Sequence, residues 1–112
     1  MLDETNFSSL TNVAGRISMI DFYMPGFPVS EAMDGGVARI AQRYRDTVLV
    51  GKVDCQADNW VQFQFDIMAF PTFLFLDGGK EARRLVKVRE DESPETMEDS
   101  LIMIIDSLLA AK

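Results

Sequence analysis

Short apolar runs alternate along this chain with stretches of helical periodicity, and that alternation limits its folds more than any other feature. Ile17 to Tyr23, Thr47 to Val53 and Thr72 to Leu76 are mostly apolar runs of strand length, broken by Ser18 and Asp21 in the first and by Lys52 in the second, the pattern of buried strands. Asp3 to Val13 places Phe7, Leu10 and Val13 on one helical stripe before the stop signal Gly15. A second helix is expected from a Ser30 cap to about Arg45, with Met33, Val37, Ile40, Ala41 and Tyr44 facing inward and Gly35-Gly36 weakening or kinking it. Asp58 or Asn59 can cap a short helix holding Trp60, Val61, Phe63 and Phe65. Asp77-Gly78-Gly79-Lys80 reads as a hairpin turn, and Leu85 to Arg89 as the alternating strand after it, with Val86 and Val88 on one face and Lys87 and Arg89 on the other. Ser93-Pro94 opens a final helix whose core stripe is Met97, Leu101, Ile104, Ile105 and Leu108. The order is αβαβαββα: an α/β protein with a parallel core, joined by crossovers, and an antiparallel edge. With 112 residues the chain is expected to be one domain, 1–112.

Composition removes whole classes of chemistry. Eighteen acidic residues against eleven basic give a net charge of −7. That excess speaks against nucleic acid, whose phosphates are bound by clustered Lys and Arg. There is no histidine, so the usual general base and commonest metal ligand are absent. The single cysteine, Cys55, can form neither an internal disulfide nor a thiolate zinc site. No metal and no cofactor is expected. No run reaches the ~18 to 20 apolar residues of a membrane span, and Met1-Leu2-Asp3-Glu4 has neither the basic head nor the apolar core of a signal peptide. A lone thiol fits the reducing cytoplasm, although a domain excised from a secretory-pathway protein would look the same.

Particular residues then narrow the fold. Met19-Ile20-Asp21-Phe22-Tyr23-Met24-Pro25 resembles the V-D-F-Y-A-P stretch before the active site of thioredoxins and protein disulfide isomerase domains. Phe70-Pro71-Thr72-Phe73-Leu74-Phe75 resembles their cis-proline strand, Lys52-Val53-Asp54-Cys55 is similar to the K-V-D-C of disulfide isomerase domains, and Gly79-Lys80-Glu81 matches the hairpin. The resemblance covers nearly the whole chain. It implies a thioredoxin fold, a central mixed sheet flanked by helices, with the first strand short or missing. It also implies a cis bond at Pro71, and a buried acid, Asp21, paired with the neighbouring lysine, Lys52.

One departure decides the chemistry. Where the family carries W-C-G-H-C-K or W-C-G-P-C-K, this chain carries Gly26-Phe27-Pro28-Val29-Ser30-Glu31. Phe27 stands at the nucleophilic cysteine's position and Ser30 at the resolving cysteine's. Dithiol exchange needs an activated thiolate and a second thiol to resolve the mixed disulfide. Phenylalanine supplies neither, and a serine without a base is no useful nucleophile. Ser30 is therefore read as a helix cap rather than a reactive group, and Trp60 as a partly exposed packing residue rather than a ligand contact. Asp21 and Lys52 are left with a structural pairing or a remnant role.

The expectation is a redox-inactive, chaperone-like module that binds a protein or an extended peptide segment. Its groove would be formed by Phe27, Pro28, Met68, Phe70 and Pro71, with apolar side chains as anchors and strand-like main-chain pairing. An inert Phe27-Pro28 turn is the plainer alternative. Two other functions compete. Cys55 could act as a monothiol redox site, but it has a plainer reading as a small buried residue, and strand alternation puts Lys52, the only cation nearby, on the opposite face. The chain could also be a structural domain of a larger thioredoxin- or disulfide isomerase-like protein. A missing first strand would leave an open sheet edge that favours a homodimer.

Overall fold

In the computed structural model, which describes residues 1–57, 59–86 and 93–112, four strands form one mixed sheet in the order β2-β1-β3-β4. The central strand β1, Ile17–Tyr23, runs parallel to β2, Val48–Asp54, and antiparallel to β3, Thr72–Asp77. The outer strand β4, Lys80–Val86, pairs antiparallel with β3 through a register irregularity at Phe75/Leu76. The helices are α1, Phe7–Thr11; α2, Pro28–Glu31; α3, Asp34–Arg43; α4, Trp60–Gln64; and α5, Pro94–Ala110.

The alternation of side chains along β1 builds two cores. Ile17 and Met19 face α3 and α5, where they meet Val37, Ile40, Met97, Leu101 and Ile105. Ile20 and Phe22 face the other way, toward Phe7, Val61 and Ile67. With helices on both sides, the mostly apolar runs of β1 and β3 are explained, since neither face meets water and even Ser18 and Asp21 are buried, whereas β2 at the sheet edge is only partly buried.

The ends of α5 follow the sequence closely. Ser93 caps it, accepting a hydrogen bond from Thr96 N–H at 3.1 Å, with Pro94 in the first turn. Met97, Leu101, Ile104 and Ile105 are buried and Leu108 is half-buried. The hairpin turns at Gly78 and Gly79, whose φ of 60° and 90° are values that favour glycine.

Expectations for three elements are corrected. The first helix is shorter than 3–13, and it turns Phe7 and Thr11 inward while Leu10 and Val13 face solvent. The helix expected from Ser30 to Arg45 is two helices. The first begins at Pro28 with Phe27 at its cap position, so Ser30 lies inside it and caps nothing. The break falls at Ala32–Met33, and Gly35-Gly36 sit within α3. Gly36 has a packing reason: a Cβ there would come within 3.1 Å of the Glu98 carboxylate, which the Arg39 guanidinium grips from α3 through Nε and Nη2. Finally, β4 starts at Lys80, five residues before the expected Leu85. Its outer surface is solvated and charged, which hides the alternation. Lys87, Val88, Arg89 and the alternative cap Asp58 lie outside the described residues. Asn59 occupies the cap position of α4 without a side-chain cap bond.

The first strand is reduced to a single parallel bridge between Leu2 and Val53, in which Leu2 N–H donates to Lys52 C=O at 2.7 Å. The Leu2 side chain lies where a Cβ on Gly51 would stand, 2.5 Å from its Cδ1.

Candidate functional site

Parallel strands deliver loops at their C-terminal ends, and β1 delivers the turn Met24 to Phe27 there. Gly26, at φ 87°, reverses the chain. Two side chains of α2 hold the turn from below: Glu31 Oε1 accepts from Gly26 N–H at 2.9 Å, and Ser30 Oγ accepts from Met24 N–H at 3.3 Å. Ser30 is wholly buried. It therefore braces the turn instead of capping the helix.

The turn presents an aromatic ring. Phe27 is 49% exposed and meets Phe70 edge to face, with ring centroids 6.1 Å apart and planes at 88°. Phe70 precedes a cis peptide bond to Pro71, and the following Thr72 hydroxyl donates to Ala69 C=O at 2.7 Å, closing that loop. Met68, on the same loop, is 89% exposed, whereas Pro71 is buried and Pro28 exposed. The structure thus brings Phe27 and Phe70 into contact and sets Pro28 and Met68 at solvent beside them in the chain.

Beneath the turn, Asp21 is fully buried on β1, and among the described residues neither of its carboxylate oxygens has a hydrogen-bond partner. Burial pushes its carboxyl up to about 7; the Lys52 ammonium works against that and the Asp34 carboxylate adds to it. The expected Asp21–Lys52 ion pair is corrected. The two residues are register neighbours across β1 and β2, yet Lys52 Nζ bonds Asp34 Oδ1 at 3.1 Å and lies 4.5 Å from the Tyr23 ring centroid. Asp34, Tyr23 and Glu31 were missed as site residues. Glu31 follows a glycine turn by five residues and could have been suspected as its brace. Asp34 carries no local signal, because its partner is eighteen residues away.

Cys55 is buried in the opposite core, with its thiol directed at Val53 C=O at 3.7 Å. Among the described residues no group of three or more His, Cys, Asp or Glu side chains could hold a metal, and no helix is long and apolar enough to cross a membrane. Trp60, 44% exposed, lines a cavity of about 200 Å³ between α1 and α4 together with Phe7, Thr11 and Phe65.

A mixed sheet with helices on both faces, a helix-capped turn after the central strand and a cis-proline loop opposite it define a thioredoxin-type domain. The thioredoxin family model matches residues 1–99, and the chain belongs to that family. It is 30% identical over 76 residues to glutaredoxin 3 of Danio rerio, covering 68% of this chain and 23% of that protein. Thioredoxin-T of Drosophila melanogaster is 25% identical over 83 residues, covering 74% of this chain and 53% of that protein. Thioredoxin H-type of Oryza sativa subsp. indica is 30% identical over 84 residues, covering 75% and 68%. The chain thus spans 23% and 53% of the length of the first two relatives. The crystal structure of a designed protein shares the fold, with a TM-score of 0.79 at 23% identity over 100% of this chain and 92% of that one.

Proposed function

We propose that this chain is a redox-inactive member of the thioredoxin family that binds an extended segment of a partner protein, as a chaperone-like module. The observation that carries the reading is the Phe27–Phe70 contact. A half-exposed aromatic ring stands at the position matched to the nucleophilic cysteine and packs edge-on against the residue before the cis bond. Phe27 and Phe70 offer an apolar anchor, and the loop backbone offers strand-like pairing. Ser30 is no substitute nucleophile, since its oxygen is buried under the turn and the chain has no histidine to activate it.

Cys55 argues against a monothiol enzyme. A reactive cysteine needs exposure and a nearby cation, whereas this thiol is buried among Val53, Val61 and Ile67 and Lys52 is engaged by Asp34. A second reading, service as a domain within a larger thioredoxin- or disulfide isomerase-like protein, is favoured by the match to glutaredoxin 3 over 23% of that protein.

The test is insulin reduction beside an active thioredoxin, with binding of an unfolded, alkylated polypeptide measured in parallel. No turnover together with binding that Phe27→Ser weakens is expected. Turnover at a comparable rate would overturn the redox-inactive reading, and binding indifferent to Phe27→Ser would overturn the groove.

A further inference from the structure

All eleven lysines and arginines lie outside two spans of the sequence, residues 17–38 and 53–79. The first span contains the Phe27 turn and the second the Met68–Phe70–Pro71 loop. Within these spans the charged side chains are therefore acids, and the cations that reach them come from outside: Lys52 at Asp34 and Arg84 of β4 at Phe65 C=O, 2.8 Å away. Some of the acids are matched: Asp34 by Lys52, and Asp77 by Lys112. Asp54 accepts the N–H groups of Gln56 and Ala57. Glu31 and Asp66 have no ion pair among the described residues. Glu31 rests its carboxylate on Gly26 N–H, next to Phe27. Asp66 stands two residues before Met68, in the left-handed conformation at φ 54°.

Resting on the groove reading above, we propose that the occupant is an extended segment in which an apolar residue is flanked by lysine or arginine. The apolar residue seats against Phe27 and Phe70, where burial supplies the attraction. The flanking cations meet Glu31 on one side and Asp66 on the other, and a cation reaching over the exposed Phe27 ring gains further attraction. The net charge of −7 draws such a segment from a distance and repels acidic ones. Exposed ion pairs are individually weak, so the charge contribution sets preference and the apolar anchor sets binding.

The test uses the full chain and three dye-labelled nine-residue peptides with one apolar centre, Val-Phe-Val. The flanks are lysines, serines or glutamates, and binding is read by fluorescence anisotropy. At low salt the lysine peptide is expected to bind about five- to tenfold more tightly than the serine peptide, the sum of two exposed pairs, and the glutamate peptide more weakly than either. The preference should vanish at 1 M salt, where the screening length is about 3 Å. Glu31→Gln with Asp66→Asn should reduce lysine-peptide affinity to that of the serine peptide. Equal affinity for the lysine and serine peptides would overturn the charge preference while leaving the groove standing. Binding of none of the three, or lysine-peptide binding untouched by Phe27→Ser, would overturn both.

Discussion

Lys52 lies beside Asp21 in the sheet register and bonds Asp34 instead. The choice follows from solvation. Asp34 sits at the start of α3, where an ammonium can reach it and stay partly hydrated, and the Tyr23 ring provides a further contact. Drawing Lys52 down to Asp21 would bury both charges, at a desolvation cost that Coulomb attraction repays only in excellent geometry. Among the described residues Asp21 is left without a hydrogen bond, buried and hard to ionise.

Asp21 should therefore make the protein less stable as pH rises. Its folded value of about 7 lies above the ordinary unfolded value of ~3.9. Between these values the folded state holds a proton that the unfolded state has released. Stability is full below about pH 4, falls through about 7 and then levels off, a loss on the order of 2 to 4 kcal/mol. Asp21→Asn removes the charge, so it should stabilise the protein at pH 8 by about 1 to 3 kcal/mol and change little at pH 4. Urea unfolding at the two pH values measures this. A mutant less stable than wild type at pH 8 contradicts it.

The same triad predicts two opposite shifts. Lys52→Met removes the cation that favours ionised Asp21, so its titration midpoint should rise. Asp34→Asn removes a repelling carboxylate and frees Lys52, so the midpoint should fall. Carbon-13 titration of the Asp21 carboxyl reads both. Shifts in the same direction would mean that Lys52 and Asp34 do not act on Asp21 as separate charges.

Gly51→Ala should detach the N-terminal bridge. The new methyl would stand 2.5 Å from Leu2 Cδ1 and 2.9 Å from its Cγ, so the Leu2 side chain must leave its site. A loss of about 1 to 3 kcal/mol is expected from the overpacking. The Leu2 amide, bonded to Lys52 C=O, should lose its protection from hydrogen exchange. Adding Leu2→Ala should cost less in the Gly51→Ala background than alone, because the two groups compete for one space. Strict additivity, or an amide that stays protected, would contradict the packing.

Phe27→Cys with Ser30→Cys should form an internal disulfide. The two positions are three apart, Phe27 at the cap of α2 and Ser30 within it, the spacing of side-chain neighbours on one helical turn. After oxidation, thiol titration of the unfolded protein should count one cysteine, Cys55, which is buried in the fold, and three once the protein is also reduced. Three titratable thiols after oxidation would mean that this turn is not built like the family's active-site turn.

Local pattern was sufficient for the order of the strands and for most helices, though not for the division between α2 and α3, because burial on two faces writes mostly apolar runs for β1 and β3 and a helical stripe for α5, and because caps and turns such as Ser93-Pro94 and Gly78-Gly79 act within a few residues. The missing dithiol was also plain in the sequence, since the chain has a single cysteine. What only the tertiary structure decided depends on contacts between distant segments. The edge strand β4 began five residues early because its solvated face carries no apolar signal. Leu10 and Val13 turned outward because Phe65 and the Ile20 face of the sheet leave α1 one narrow line of contact, through Phe7 and Thr11. Ser30 became a brace once Phe27 took the cap position. The partner of Lys52 was settled by which carboxylate could be reached without giving up water, and sequence spacing does not encode that quantity.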